Sequence, residues 1–109
     1  MEKVLLVYMT AGGRKEAEAI GEALVMERLA ACVNVFDGMT SLYWWEGRVQ
    51  KDQETVLIAK TREGLFPALK EKVLSLHSYE CPCVVAWPVP DGHPPFLDWI
   101  AEQTGAAAR

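Results

Sequence analysis

Two β-forming stretches, residues 32–45 and 48–61, meet at a tight Glu46-Gly47 reversal and are much longer than the strand at residues 4–9 that must pair with them. Arms of about 14 residues would reach roughly 45 Å at about 3.3 Å per residue, so most of this hairpin has to project beyond the sheet that carries it. The first arm is rich in Val, Thr, Tyr and Trp and is interrupted by Asp37-Gly38, the signature of a bulge or kink. The second is polar from Gln50 to Glu54 and apolar only from Val56 to Ala59, which makes the tip wet. A projecting ribbon with unpaired edges binds another chain or aggregates, and Tyr43, Trp44 and Trp45 near its tip are residue types enriched at interface centres.

The remaining elements fall around this hairpin. Residues 4–9 form an apolar run of strand length, ended by Thr10-Ala11-Gly12-Gly13. Residues 14–29 carry Ala17, Ile20, Leu24 and Leu29 on one helical face, with Gly21 beside it allowing close approach to a sheet. Residues 64–77 repeat helical spacing through Phe66, Leu69, Val73 and Leu76, with Pro67 in the first turn. Pro82 opens a short strand at 84–87, which Pro88 and Pro90 are expected to end because neither can donate to a ladder. Residues 91–95 read as a turn, 96–104 as a last short helix and 105–109 as a frayed tail. The order strand, helix, strand, strand, helix, strand plus a terminal helix predicts a single α+β domain over 1–109, the ferredoxin-like βαββαβ plait with a long β2-β3 hairpin and a C-terminal helix. Right-handed crossovers then place both main helices on one face of a four-stranded antiparallel sheet.

The opposite face is also apolar, because Val4, Leu6 and Tyr8 alternate with Leu5, Val7 and Met9, and the third and fourth strands repeat the pattern. A short last helix covers only part of it. The expected solution is a closed homo-oligomer exchanging hairpin edges; such contacts are heterologous, and three copies make the smallest ring.

Lys and Arg number 11 against 15 Asp and Glu, a net charge of -4, which argues against a nucleic-acid partner. The longest apolar stretch, six residues, is far short of the ~20 that span a bilayer, so no membrane insertion is expected. With no basic, apolar leader at the start and three cysteines at spacings that suit no disulfide framework, the expected compartment is the cytoplasm.

Cys81-Pro82-Cys83 with His77 four residues earlier is the best metal-like cluster, since thiolates and imidazole suit copper(I) or zinc and residues two apart in an extended chain point the same way. The plainer assignment makes the cysteines small hydrophobes at a strand entrance and His77 a helix C-terminal cap. Thr10-Ala11-Gly12-Gly13-Arg14 could cradle an anion at a helix N-terminus, but ordinary turn chemistry accounts for the loop, and Arg14 alone does not establish an acylphosphatase, which also requires an Asn on a later strand. No nucleophile, base and orienting acid form a triad, so no enzyme and no organic cofactor is expected. Asp52 and Glu54 with Arg48 and Lys51 read as a solvated or inter-subunit charged arm. Lys60 follows an apolar run on a central strand and calls for a carboxylate or anion partner, or a place at the sheet margin. Asn34, Trp45 and Tyr79 join Lys60 as candidates for a polar cleft between subunits.

The blocks Glu27-Arg28-Leu29-Ala30-Ala31-Cys32-Val33-Asn34, Gly38-x-Thr40-Ser41-x-Tyr43-x-Trp45-x-Gly47, Lys60-Thr61, His77-x-Tyr79-x-x-Pro82 and Leu97-x-Trp99, in this order, resemble the divalent-cation tolerance (CutA) family. The resemblance covers about residues 4–100 and implies a cytosolic homotrimer of ferredoxin-like subunits, similar to the trimeric PII signalling proteins, linked to tolerance of copper and other divalent cations without an accepted catalytic activity. Two positions depart from the family pattern: Ser78 stands where Pro usually follows the His, and Cys83 where an acidic residue usually follows the Pro. A thiol in place of a carboxylate shifts any cation preference toward softer metals. The expected function is therefore binding of divalent or soft metal ions, copper foremost, in metal homeostasis; the alternative is a PII-like module holding a small anionic ligand in inter-subunit clefts, with Lys60 as counter-charge.

Overall fold

The computed structural model describes residues 2–105. Its elements run β1 (Val4–Ala11), α1 (Arg14–Met26), β2 (Cys32–Trp45), β3 (Arg48–Arg62), a single 3-10 turn (Glu63–Leu65), α2 (Phe66–Leu76), β4 (Val84–Val89) and α3 (Pro94–Gln103). The four strands form one antiparallel sheet in the order β2-β3-β1-β4, as the plait requires. Of the expected tail at 105–109, only Gly105 falls among the described residues.

Alternation within the strands decides where the core lies. Leu5, Val7, Met9 and Ala11 of β1 and Leu57 and Ala59 of β3 face the helices and pack with Ala17, Ile20 and Leu24 of α1 and Leu69 and Val73 of α2. Gly21 earns its place in α1, because a Cβ there would stand 3.1 Å from Val33 of β2. On the other face α3 covers one end, where Ile100 and Thr104 are buried, and Arg62 donates to the Thr104 hydroxyl at 3.0 Å. The rest of that face stays open, with Phe36, Val85 and Trp87 exposed, the last at 52%.

The hairpin overhangs as its length requires. β1 pairs with β3 only from Arg62 back to Thr55, so residues 39–45 of β2 and 48–54 of β3 pair with each other alone. The chain measures 51 × 25 × 22 Å as a result. Between Phe36 and Met39 the register shifts by one residue; Gly38 takes φ 79° there, and Asp37 accepts from the Thr55 hydroxyl at 2.9 Å. The arm leaves Leu42, Trp44 and Val49 exposed on one side, Trp44 at 74%.

Several boundaries differ from the sequence reading. α1 ends at Met26 rather than at 29, because Arg28 adopts φ 62° with no glycine to announce the stop, and its guanidinium donates to the Gln103 carbonyl at 3.0 Å. The segment expected to be helical from 64 opens as a 3-10 turn and becomes α-helix at Phe66. β4 continues through Pro88 to Val89, since an edge strand pairs on one side only and tolerates a missing donor. Pro94 and Pro95 begin α3 instead of ending a turn, as proline is accepted in the first helical turn.

Candidate functional site

A groove of about 540 Å³ opens on the helix-free face, where the base of the hairpin arm meets the loop before β4. Its floor comes from Tyr8 and Thr10 of β1 and Glu54 of β3. One wall is the near side of the hairpin arm, with Met39, Tyr43 and Trp45, and the opposite wall is the segment Tyr79-Glu80-Cys81 with Cys83. Strand alternation explains the first wall: beyond the bulge, Met39, Tyr43 and Trp45 pair with Glu54, Gln50 and Arg48, all on the side of the sheet that Tyr8 faces.

Hydrogen bonds fasten these walls together. The Tyr79 hydroxyl donates to Glu54 Oε2 at 2.8 Å, the Tyr8 hydroxyl to Met39 Sδ at 3.5 Å, and the Tyr43 hydroxyl to Asp52. Burial, followed by the Glu54 hydrogen bond and charge, pushes the Tyr79 phenol far above its ordinary range, so it remains a donor at any physiological pH. Burial also raises the Cys83 thiol, aided by the negative charge of Glu54 and by Cys81. Cys81 is exposed, Cys83 is half-buried, and neither is in a disulfide.

His77 lies behind this groove rather than in it. Its side chain is 1% exposed. Nε2 lies 2.7 Å from the Thr10 carbonyl and Nδ1 accepts the Tyr79 amide at 3.1 Å, which assigns the proton to Nε2 and occupies both nitrogens. Nδ1 is also 3.7 Å from Glu16 Oε2, but the shorter amide contact governs the tautomer. His77, Cys81 and Cys83 are therefore not gathered around one point: the two cysteines line the groove and the imidazole braces it from behind. Among the described residues no three His, Cys, Asp or Glu side chains converge as a metal centre.

The four cleft candidates separate into two pairs. Trp45 and Tyr79 both line the groove. Asn34 and Lys60 meet elsewhere on the same sheet face, where Lys60 Nζ donates to Asn34 Oδ1 at 2.6 Å, lies 3.8 Å from Cys32 Sγ and stands 5.9 Å over the Phe96 ring. An amide, a thiol and an aromatic face thus stand where a carboxylate was expected; among the described residues no carboxylate pairs with Lys60.

The glycine-rich turn before α1 is not an open anion cradle. Glu16, in the first turn of α1, receives the Ser78 amide at 2.7 Å and is also bonded by the Gly12 amide. Burial alone would raise its carboxyl, but the hydrogen bonds from Ser78 and Gly12 and the adjacent His77 outweigh it and leave the group below its ordinary 4.5. A depressed folded value contributes stability that is complete above the unfolded value and lost as pH falls through the folded one. Glu16→Gln is thus expected to destabilise the protein above about pH 5 and progressively less toward about pH 3, as read by urea titrations across that interval. Arg14 pairs with exposed Glu18 at 2.7 Å and does not point into a site.

Tyr8, Tyr43, Glu54 and Glu80 are among the groove residues that sequence reasoning missed as a site. Glu54 carried a legible signal: it continues the alternation of Val56 and Ile58 on the open face with a carboxylate. What the sequence hides is that residues 8, 54 and 79 meet.

The family model for the CutA1 divalent ion tolerance protein matches residues 5–103. The Divalent-cation tolerance protein CutA of Thermus thermophilus is 49% identical over 105 residues, covering 96% of this chain and 100% of the relative. Protein CutA 1, chloroplastic, of Oryza sativa is 42% identical over 100 residues, which are 92% of this chain and 56% of that protein. Among solved structures, CutA1 from Oryza sativa superposes with a TM-score of 0.92 at 40% identity, covering 96% of each chain. The divalent cation tolerance protein from Thermus thermophilus gives 0.89 at 48% identity, covering 96% of this chain and 100% of that one.

Proposed function

The chain belongs to the CutA1 divalent ion tolerance family, and on that premise we propose that it is a non-catalytic, homotrimeric cytoplasmic protein that binds soft or divalent metal ions, copper foremost, and contributes to metal homeostasis. The observation that carries the proposal is the pair of free thiols, Cys81 and Cys83, on the wall of a groove that also holds the carboxylates of Glu54 and Glu80. Thiolate sulfur is the donor type that prefers copper(I) and zinc, and nearby negative charge favours a bound cation. His77, whose nitrogens both have partners, acts as a brace and not as the third ligand. Water, or a group from a neighbouring subunit, completes the coordination.

No helix among the described residues is long and apolar enough to cross a membrane. Reduced thiols suit the cytoplasm, and the open sheet face with its projecting arm suits a trimer. An anionic-ligand reading would rest on Lys60, but the groove contains two carboxylates and no cationic side chain, a lining that repels anions.

Because Cys83 titrates above the ordinary thiol range, metal binding must displace its proton. With two thiols giving up their protons, affinity for copper(I) or zinc, measured by competition titration of reduced protein, is expected to rise by up to about a hundredfold per pH unit between about pH 6 and about pH 8. The double variant Cys81→Ser with Cys83→Ser is expected to lose at least about a hundredfold in affinity while keeping its fold. Equal affinity in wild type and double variant would overturn the assignment to these thiols.

A further inference from the structure

His77 is a titratable group enclosed by the fold, and its two ring nitrogens hold different parts of the chain. Nε2 donates to the Thr10 carbonyl of β1 at 2.7 Å, and Nδ1 accepts the Tyr79 amide at 3.1 Å. Glu16 of α1 stands beside the second contact, its Oε2 3.7 Å from Nδ1, while the same oxygen accepts the Ser78 amide at 2.7 Å. His77 closes α2 and Glu16 lies in the first turn of α1, so both belong to the helical side of the sheet, away from the open face on which subunits are expected to pack. We propose that His77 is an acid-operated latch: uptake of a second ring proton, at Nδ1, releases residues 78–83 from the imidazole that anchors them.

The two protonation states make opposite demands. A neutral imidazole with its proton on Nε2 offers a lone pair at Nδ1, whereas an imidazolium has donors only. Two N–H groups would then face each other across the 3.1 Å contact, leaving the Tyr79 amide a buried donor without an acceptor, which favours its escape to water. The Nδ1 proton has a substitute partner at hand. Glu16 Oε2 lies about 1 Å beyond charge-assisted hydrogen-bond length, and a carboxylate has lone pairs to spare. Burial opposes it, but the bonds from Ser78 and Gly12 and the adjacent His77 hold the Glu16 carboxyl below its ordinary value, so it is an anion throughout the range in which histidines commonly titrate. The groups facing the ring come from several elements. β1 supplies the Thr10 carbonyl, α1 the Glu16 carboxylate, and the loop before β4 the Tyr79 ring; Glu54 of β3 is linked to it through the Tyr79 hydroxyl. Burial and the Glu54 hydrogen bond keep that phenol neutral. His77 apart, no cation among the described residues pairs with Glu16 or Glu54, so the two carboxylates set a field that favours the second proton. The latch stands apart from the metal-binding proposal, although the segment it frees carries Cys81 and Cys83.

The test is nuclear magnetic resonance of the full chain, with a metal chelator present, between about pH 8 and about pH 5. The sequence has two histidines, and the exposed His93 serves as an internal reference. At the upper end the His77 ring is expected as the tautomer protonated on Nε2. On acidification Nδ1 gains a proton and hydrogen-exchange protection of the Tyr79 amide falls by up to about tenfold per pH unit, as one coupled proton requires, while the amides of Val7 and Leu57 in the sheet keep theirs. Glu16→Gln, which removes the charge and keeps the acceptor oxygen, is expected to weaken proton uptake at His77 at least about threefold. His77→Gln is expected to abolish the pH dependence of Tyr79 protection. Nδ1 staying unprotonated down to about pH 5 in the folded protein would overturn the proposal, as would protonation with Tyr79 protection unchanged. The same pH dependence in His77→Gln would overturn it as well, and so would loss of protection at Val7 and Leu57 in step with Tyr79, which is global unfolding. An unshifted titration in Glu16→Gln would overturn the role of Glu16 as substitute partner. Because chelator is present throughout, failure here leaves the thiol-metal titrations standing, and failure of those leaves this result standing.

Discussion

His77→Ala is expected to lower the unfolding free energy by about 3 kcal/mol, read from urea denaturation at fixed protein concentration. The imidazole side chain is 1% exposed and holds two backbone groups at once, the Thr10 carbonyl at the end of β1 and the Tyr79 amide at the start of the groove wall. Alanine removes the partner of both, and each unsatisfied buried group costs about 1–3 kcal/mol. The ring also packs against Tyr79, tilted by 51° with the centroids 4.6 Å apart, so its removal loosens the phenol that reaches Glu54. His77→Gln, whose amide can still donate toward Thr10, is expected to recover about half of the loss. If His77 were instead a metal ligand with no structural duty, alanine would abolish metal binding and leave stability of the metal-free protein unchanged.

The second large effect concerns assembly. The outer side of the hairpin arm presents Leu42, Trp44 and Val49, the last two directly paired across the ribbon. Neither side of the arm is covered by a helix, and a two-stranded ribbon is marginal in water without support. Leu42→Asp with Trp44→Asp places charge where a neighbouring subunit is expected to pack. Sedimentation should shift from a species of three times the 12.1 kDa chain mass to a mixture of single chains and aggregates, a weakening of at least about a thousandfold in association. Glu46→Lys at the reversal changes charge by a similar amount on an exposed turn and should leave the mass unaltered. A wild-type protein sedimenting as a single chain would remove the basis for a trimer.

Those features follow from patterns that the residues display openly. Alternation over residues 4–9 exposes both faces of β1 as apolar, and helical spacing identifies α1 and α2, so the plait and its unfinished face can be read before any coordinates. The Asp37-Gly38 interruption likewise marks the bulge. Pro88 misleads because a proline ends a central strand but not an edge strand, and edge position is a property of topology rather than of local sequence. Arg28 misleads because the left-handed turn that stops α1 carries no glycine and is closed by the Leu29 and Ala30 amides on the Leu24 carbonyl, while the Arg28 side chain reaches Gln103, seventy-five positions away. The groove was legible in part. Trp45, Tyr79, Cys81 and Cys83 were recognisable as interesting residue types, but Glu54 reads as one more charge in a solvated arm until Tyr79 is seen to bond to it. His77 was identified by its chemistry, and its role could not be, since the partner carbonyl belongs to Thr10.

The bulge between Phe36 and Met39 acts as a parity switch for everything downstream of it. Before it, the even-numbered residues Asn34 and Phe36 look toward the helix-free face; after it, the odd-numbered Met39, Tyr43 and Trp45 do. Loss of one codon within this kink would rotate the whole ribbon by half a pleat and turn Trp44 toward the groove, sending Tyr43 and Trp45 to the outside. The cavity's inner lining and the ribbon's outer grip are thus two readings of one alternating string, and a single inserted residue keeps them from trading places.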